Sequence, residues 1–144
     1  MKCAIIMAGG KGTRMKATCP KVMCNVLFEP MISYVVDAVK EAGAEDICVI
    51  TGYKHELLEK YLAEKDEKIE TVLQEPQLGT GHAVMQAQSF IDRHLDDDII
   101  ILNGDGPLID AETINKAFDY HKENDNSITL ISAIVDDTNG IGHI

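Results

Sequence analysis

The strongest constraint on the fold is an alternation of short apolar runs with segments of helical periodicity. Five runs are typical of buried strands: residues 3–8, 46–51, 69–74, 98–103 and 129–135. Four segments between them repeat apolar residues every three or four positions, as amphipathic helices do. This order predicts a Rossmann-like α/β fold, a three-layer α/β/α arrangement in which helices cover both faces of a mainly parallel sheet.

The helices have recognisable ends. Pro30 suits the first turn of the first helix, and Gly43 is suited to cap its C-terminus. Asp110 can cap the fourth helix. The third helix is predicted from four apolar positions: Ala83, Val84, Ala87 and Ile91.

Composition places the chain among soluble globular proteins. It has 144 residues, enough for one domain, and 45% of them are apolar. It contains neither an apolar run of about 18 residues nor a signal peptide, so we expect a cytoplasmic protein without a membrane span. The four cysteines have neither a CxxC pair nor a matching histidine spacing, so neither a zinc site nor a disulfide framework is expected.

Charge is distributed unevenly along the sequence. Residues 1–28 contain five cations and no carboxylate, although the whole chain has a net charge of −11. The acidic remainder argues against nucleic acid or an anionic membrane as a partner. A small anionic ligand at the basic N-terminal segment is compatible with this pattern, and so is chance clustering of solvated side chains.

Three unusual segments follow predicted strands directly. They are GGKGTR after the first strand, QEPQLGTG after the third and NGDGP after the fourth. In parallel sheets, ligands bind beyond the carboxyl ends of the strands. We therefore expect the three segments to meet at one edge of the sheet.

The glycine-rich segment AGGKGTR is suited to binding an anion. Glycines allow close approach of the backbone, whose N–H groups can point at a phosphate, and Lys11 and Arg14 add charge. The spacing matches neither the Walker A pattern nor the dinucleotide-binding G-x-G-x-x-G pattern. The structural alternative is a tight strand-to-helix turn that happens to be basic.

Each of the other segments also has a chemical and a structural interpretation. Lys21 follows a proline and could contact a phosphate, but most lysines are merely solvated. Free N–H groups of the helix start at Thr80 could bind a base carbonyl or a phosphate, or the segment could be a plain helix start. Gln74 and Gln77 would suit recognition of the edge of a base. Asp105 could bind Mg²⁺ beside substrate phosphates, or could stabilise a turn. His82 is interpreted as a helix-start or packing residue.

Taken in order, the motifs resemble those of the sugar-nucleotidyltransferases. That family has L-A-[AG]-G-x-G-T-R-M, P-K, Q-x-x-Q-L-G-T-[GA]-H-A and G-D-x-P motifs. This sequence has MAGGKGTRM at residues 7–15, PK at 20–21, QEPQLGTGHA at 74–83 and GDGP at 104–107. QLGTGHA is most similar to the uridyltransferase half of bifunctional N-acetylglucosamine-1-phosphate uridyltransferase/glucosamine-1-phosphate acetyltransferases, and GIGHI at 140–144 resembles their G-Y-G-R-I.

The resemblance implies transfer of a uridylyl group from UTP to N-acetylglucosamine 1-phosphate, with release of pyrophosphate, in the synthesis of a peptidoglycan precursor. Arg14 and Lys21 would be the catalytic residues that hold phosphates. The nucleotide would lie along residues of the glycine loop: Met7, Ala8, Gly9, Gly10, Gly12 and Thr13. Mg²⁺ would be the cofactor, bound by Asp105.

The remaining site residues are assigned in the same way. The base would be bound by Gln74, Gln77, Gly79 and Thr80. Asn103 and Gly104 would lie near the ribose and the metal, and Gly142 near the sugar. The alternatives are a hexose-1-phosphate nucleotidyltransferase with another base or sugar, and a nucleotide-binding module without turnover.

The family pattern also differs from this sequence. The resemblance implies that residues 1–144 are the N-terminal nucleotide-binding part of a longer transferase domain, with most of the nucleotide site and little of the sugar site. The complete enzyme would be a homotrimer through a C-terminal acetyltransferase β-helix. Gly106, Ile141, His143 and Glu29 replace residues more usual in the family, which leaves the phosphate loop unchanged but weakens the assignment of the sugar.

Overall fold

The computed structural model describes residues 1–12, 18–137 and 139, which form an α/β fold with a central parallel sheet. Its strands are β1 (Lys2–Met7), β2 (Asn25–Val26), β3 (Glu29–Pro30), β4 (Asp46–Thr51), β5 (Glu70–Leu73) and β6 (Asp98–Asn103). Its helices are α1 (Met31–Glu41), α2 (His55–Lys65), α3 (Thr80–Gln86), α4 (Gln88–Arg93) and α5 (Ala111–Glu123). The predicted fold class is confirmed.

The main sheet has the strand order β5-β4-β1-β6, and every pair in it is parallel. The register places Ile5 of β1 beside Cys48 of β4 and Ile101 of β6. From β1 the chain moves outward to β4 and β5, then returns to place β6 on the other side of β1. The strand order therefore reverses between β1 and β6, and the carboxyl ends of these two strands are the expected position of a ligand.

Alternating side chains of the central strands supply two apolar layers. On one face, Ala4 and Ile6 of β1 belong to a buried cluster with residues of α1, α2 and α5. On the other face, Cys3 and Ile5 pack in a second cluster with residues of α3 and α4. The two layers explain why the central strands are almost continuously apolar. Within the described residues, no helix is both long and apolar enough to cross a membrane.

Two of the predicted helix-end signals are confirmed, whereas Pro30 lies in β3, directly before the first turn of α1. Gly43, directly after the last turn of α1, has a φ of +91°, and the Asp110 carboxylate accepts the Thr113 N–H at 2.8 Å at the start of α5. The predicted third helix is instead two helices, because the backbone leaves helical geometry at Ala87 (φ −86°, ψ 18°). Ala83 of α3 and Phe90 of α4 both pack against the same face of the sheet.

The predicted strand at residues 129–135 is wrong. Residues 129–135 contain no strand, and among the described residues none pairs with the outer edge of β6. Ile131 and Ile134 are exposed. Strand propensity mainly reflects the fit of a side chain to a half-buried pleated surface. The described residues place no layer over this segment, so its apolar sequence is not sufficient to make it a strand.

A polar network binds the amino group of Met1 at the amino ends of strands β1 and β6, opposite the predicted ligand site at their carboxyl ends. The Met1 amino group lies 3.0 Å from one carboxylate oxygen of Asp97, and the other oxygen lies 2.9 Å from His94 Nδ1. Cys3 Sγ lies 3.3 Å from the same His94 nitrogen. The hydrogen bond with His94 and the ion pair with Met1 lower the pKa of Asp97, and the same ion pair raises the pKa of the Met1 amino group above 8.0.

The network predicts a pH-dependent contribution to stability. The contribution of Asp97 is present above the ordinary carboxyl pKa and is lost as the pH falls through the lowered value. The contribution of the Met1 amino group is present below pH 8.0 and is lost as the pH rises through the raised value. We expect Asp97→Asn to lower the urea midpoint at about pH 6.5, with a smaller difference from wild type at either extreme. Asp96→Asn, at an exposed neighbour, is the control, and equal midpoints for the two variants would contradict the prediction.

Candidate functional site

A cleft of about 340 Å³ opens at the carboxyl ends of β1 and β6, where the strand order reverses. It is lined by the end of β1, the turn after Pro20, the start of α3 and the segment after β6. The lining residues are Met7, Ala8, Gly9, Gly10, Lys21, Val22, Gln74, Gln77, Gly79, Thr80, Ala83, Asn103 and Asp105. The three unusual segments of the sequence therefore meet at one edge, as expected.

Eleven of these lining residues are among the site residues predicted from the sequence. Val22 and Ala83 are additional: Val22 directly follows Lys21, and Ala83 is the last residue of the QEPQLGTGHA motif. Gly12 and Gly104 lie beside the cleft: Gly12 packs against Lys21, and the Gly104 N–H donates to the Met7 carbonyl at 2.9 Å. Thr13, Arg14 and Gly142 lie outside the described residues, and the roles assigned to all of the site residues stay predictions.

Backbone contacts with the neighbouring strand hold the start of the glycine loop. The Ala8 N–H donates to the Ile50 carbonyl at 2.8 Å, and the Tyr53 N–H donates to the Gly9 carbonyl at 3.2 Å. The Gln77 side-chain amide donates to the same Gly9 carbonyl. Contacts with β4, with the segment after it and with Gln77 therefore hold the loop at Ala8 and Gly9, at the edge of the cleft.

Gly52, directly after β4, makes these contacts possible. A Cβ atom at position 52 would lie 2.6 Å from the Gly9 carbonyl oxygen and 2.8 Å from Gly9 Cα. It would also lie 2.5 Å from Gln77 Nε2. Only a residue without a side chain allows the two backbone segments to approach this closely.

We therefore expect Gly52→Ala to displace the glycine loop. The free energy of unfolding should fall by about 1–3 kcal/mol, since backbone atoms must move to admit the methyl group. Gly10→Ala is the matched control for stability, because a Cβ at position 10 meets nothing within 4 Å. Urea unfolding of the two variants measures the difference, and equal midpoints would show that the close approach at Gly52 is not required.

Lys21 and Asp105 form an ion pair across the cleft. Lys21 begins a single 3₁₀ turn, Lys21–Met23, and its Nζ lies 2.6 Å from Asp105 Oδ2. Both side chains are about one-third exposed, at 36%. The stem of Lys21 packs against Gly12, whose φ of +63° suits glycine and where a Cβ would lie 2.6 Å from Lys21 Cβ. The residue predicted to bind phosphate thus neutralises the residue predicted to bind a metal ion.

Gln74 directly follows β5, and its side chain contacts the start of α3. Its side chain is only 6% exposed, and its Nε2 donates to the Gly79 carbonyl at 3.0 Å and lies 3.1 Å from His82 Nδ1. His82 also contacts Gln86 one turn further along α3. The interpretation of His82 as a helix-start residue agrees with these contacts. Gln74 fixes the position of the Gly79–Thr80 backbone at the edge of the cleft.

Sequence reasoning missed the segment after β4. Lys11 and Lys54 place their Nζ atoms 5.3 and 5.6 Å from the centre of the Tyr53 ring, and Lys54 also donates to the Thr18 carbonyl. Gly52 and Tyr53 contact Gly9, as described above. The signal was available, because residues 52–54 follow a predicted strand and must lie at the same edge of the sheet.

The arrangement is suited to holding a polyphosphate. Backbone groups of the glycine loop and the Lys21 ammonium face the cleft, and Asp105 is the one carboxylate among the described lining residues. Cations and N–H groups stabilise charge that develops on phosphate oxygens. A reaction in which one substrate phosphate attacks another requires alignment and charge neutralisation more than a protein nucleophile.

Comparison with known proteins agrees with this chemistry. The pattern of the family described as Nucleotidyl transferase matches residues 3–143, which is almost the whole chain. The chain belongs to the nucleotidyl transferase family. Members of this family transfer a nucleotidyl group.

Within this family the chain is similar to proteins described as bifunctional protein GlmU. It is 40% identical over 141 residues to the one from Caldanaerobacter subterraneus subsp. tengcongensis, covering 98% of this chain and 30% of the relative. It is 44% identical over 140 residues to that of Fervidobacterium nodosum, covering 97% and 29%. The chain thus spans about a third of the length of these relatives.

The fold also matches solved structures of the nucleotidyltransferase type. A putative glucose-1-phosphate thymidylyltransferase from Bacillus anthracis superposes with a TM-score of 0.73 over 85% of this chain and 51% of that one. The two sequences are 23% identical, so this likeness concerns the fold alone. It agrees with the Rossmann-like architecture predicted from the sequence.

Proposed function

We propose that this chain is the nucleotide-binding part of a sugar-1-phosphate uridylyltransferase, which transfers a uridylyl group from UTP to N-acetylglucosamine 1-phosphate. The observation that carries the proposal is the convergence of four separate motifs on one cleft at the strand-order reversal. Similarity to the GlmU relatives supports uridylyl transfer over other nucleotidyl transfers. The products are UDP-N-acetylglucosamine and pyrophosphate, the first a peptidoglycan precursor made in the cytoplasm.

In the proposed mechanism the protein aligns two phosphates. Met7, Ala8, Gly9 and Gly10 lie along the nucleotide, and Gln74, Gln77, Gly79 and Thr80 bind the uracil. Lys21 holds a phosphate of UTP, the same role is assigned to Arg14 from its motif, and Gly12 and Thr13 are assigned to the nucleotide. The sugar phosphate oxygen attacks the α-phosphorus in line, and the bond to the pyrophosphate oxygen breaks. Lys21 stabilises the negative charge that is redistributed among these oxygens.

The residues present also fit a magnesium ion. Asp105 offers an accessible carboxylate that already pairs with a cation, and the Asn103 amide lies at the same end of β6. Mg²⁺ prefers oxygen ligands and typically takes one or two carboxylates together with substrate phosphates. Asp105 would hold the ion, with Asn103 and Gly104 near the ribose, and the ion would neutralise phosphate charge when bound.

We also propose that the nucleotide site is more complete in this chain than the sugar site. Eleven residues predicted to bind the nucleotide, its phosphates or the metal line the cleft, whereas the residue assigned to the sugar, Gly142, is a single position. Homotrimer formation through an acetyltransferase domain would belong to a complete enzyme of the length of the GlmU relatives. Turnover by this chain alone is therefore a separate question from nucleotide binding.

One titration series separates the proposed function from its alternatives. We expect UTP to bind in the presence of Mg²⁺ with a measurable heat in calorimetry, and dTTP and ATP to bind more weakly. Pyrophosphate release with N-acetylglucosamine 1-phosphate, compared with glucose 1-phosphate, then tests turnover and the choice of sugar. UTP binding without turnover would favour a nucleotide-binding module. Equal binding of UTP and dTTP would favour another hexose-1-phosphate nucleotidyltransferase, and no binding would contradict the proposal.

A further inference from the structure

Cys19 and Cys24 lie on either side of Lys21, and their Sγ atoms are 3.6 Å apart. The short turn between them produces this proximity. The Met23 N–H donates to the Pro20 carbonyl at 2.9 Å, and the Cys24 N–H donates to the Lys21 carbonyl at 3.1 Å. Two thiols are thus in van der Waals contact in the turn that carries Lys21, the residue predicted to bind phosphate.

The other two cysteines are more deeply buried than this pair, although burial raises the pKa of the Cys24 thiol as well. Cys3 and Cys48 are fully buried in the sheet, and burial raises the pKa of their thiols to about 11 and about 12. Cys19 and Cys24 are each half-buried, so small oxidants can reach them. A buried thiol of high pKa is inert, whereas an accessible pair of thiols can be oxidised reversibly.

A disulfide between Cys19 and Cys24 requires only a small movement. The sulfur atoms of a disulfide are about 2.05 Å apart, so the gap must close by about 1.5 Å. The expectation that the chain has no structural disulfide framework is compatible with such a bond, because reversible disulfides in reducing compartments are regulatory rather than structural.

We propose that Cys19 and Cys24 are a modification site, a dithiol that oxidises to a disulfide and thereby weakens nucleotide binding at the adjacent cleft. The existence of the disulfide depends on the two cysteines alone. Its effect on the nucleotide rests on the proposed function.

The oxidant is a peroxide, and the reaction balances in two steps. The sulfur of one cysteine, as the thiolate, attacks a peroxide oxygen, which gives a sulfenic acid and water. The second sulfur then attacks the sulfenic sulfur, which forms the S–S bond and releases a second water. Two thiols lose two electrons and two protons in total, and hydrogen peroxide is reduced to two waters. A small thiol such as dithiothreitol reverses the reaction by thiol–disulfide exchange.

The turn couples this chemistry to the cleft. Lys21 lies inside the ring that the disulfide would close, and its backbone carbonyl accepts the Cys24 N–H. The Lys21 stem lies against Gly12, and its ammonium lies 2.6 Å from Asp105. Drawing the two sulfurs together changes the direction in which the Lys21 side chain leaves the turn. The ammonium is then displaced from the phosphate position between Gly12 and Asp105.

The first experiment tests the modification site. We expect treatment of the full chain with hydrogen peroxide to remove two hydrogen atoms and to leave two titratable thiols under denaturing conditions. Trypsin cleaves after Lys16, Lys21 and Lys40, so the disulfide joins peptides 17–21 and 22–40, and dithiothreitol separates them. The Cys3→Ser/Cys48→Ser variant should still form the joined peptide, whereas Cys19→Ser should not. Four free thiols after treatment, or a disulfide that includes Cys3 or Cys48, would overturn the proposal.

The second experiment tests the effect on the cleft. We expect the oxidised chain to bind UTP with Mg²⁺ at least tenfold more weakly than the reduced chain, and dithiothreitol to restore the affinity. Cys24→Ser should bind UTP equally before and after peroxide. Equal affinities of oxidised and reduced wild type would overturn the regulatory effect. If the reduced chain binds no UTP, the proposed function and the regulatory effect both fail, while the joined peptide would still establish the modification site.

Discussion

Replacement of Lys21 by alanine is expected to weaken the binding of UTP with Mg²⁺ by about 10- to 100-fold. A charge-assisted hydrogen bond contributes about 1.5–3 kcal/mol, and no other described side-chain cation lines the cleft. In an enzyme with turnover, kcat/KM should fall by orders of magnitude, because the ammonium would act on transition-state charge. Calorimetric titration measures the affinity, and Lys60→Ala, at an exposed position on α2, is the control.

The ion pair gives this prediction a second readout. The Lys21 ammonium lies 2.6 Å from Asp105, where it opposes the approach of another cation. Lys21→Ala should therefore bind Mg²⁺ more tightly than wild type in the absence of nucleotide, even though it binds UTP more weakly. An unchanged UTP affinity would contradict the phosphate role of Lys21. Arg14→Ala is expected to have a similarly large effect on kcat/KM, although Arg14 lies outside the described residues.

Replacement of Asp105 by asparagine is expected to remove most of the dependence of UTP binding on Mg²⁺. The substitution retains size and one acceptor oxygen but removes the negative charge that Mg²⁺ prefers. The ratio of UTP affinities with and without Mg²⁺ is the measured quantity, and it should approach one in the variant.

The control for Asp105→Asn is Asp119→Asn, at an exposed aspartate on α5. A Mg²⁺ titration of Asp105→Asn that matches wild type would assign Asp105 a structural role in the turn after β6. A loss of UTP affinity that is equal with and without Mg²⁺ would instead indicate that Asp105 acts by holding Lys21.

The sheet and the position of the cleft could be predicted because they depend on local patterns. Four of the five predicted strands are present: β1 and β4 are buried between the two helical layers, and the partly exposed strands β5 and β6 pair with them on either side. Because the carboxyl ends of parallel strands lie on one side of the sheet, the positions of three segments after strands were enough to predict that they meet. The fifth strand is absent because its formation depends on a partner and a covering layer, and a sequence pattern reports neither.

The details of the site depend on contacts between distant positions and could not be predicted in this way. The Lys21–Asp105 ion pair joins residues 84 positions apart, and no spacing rule relates them. Gly52 belongs to none of the sequence motifs, and only its distance to Gly9 shows that a side chain at position 52 would collide with the glycine loop. The division of the third helix at Ala87 likewise depends on how Ala83 and Phe90 pack against the sheet.

Among the described residues no strand pairs with the outer edge of β6, and this affects how copies of this chain would associate in solution. The backbone N–H and C=O groups of this edge can accept a strand from another molecule, and Ile101 on β6 and Leu130 beside it are exposed. The net charge of −11 opposes such contact, because like-charged molecules repel one another. Salt screens that repulsion over about 10 Å at 0.1 M ionic strength. Raising the ionic strength is therefore expected to favour edge-to-edge association of copies of this chain.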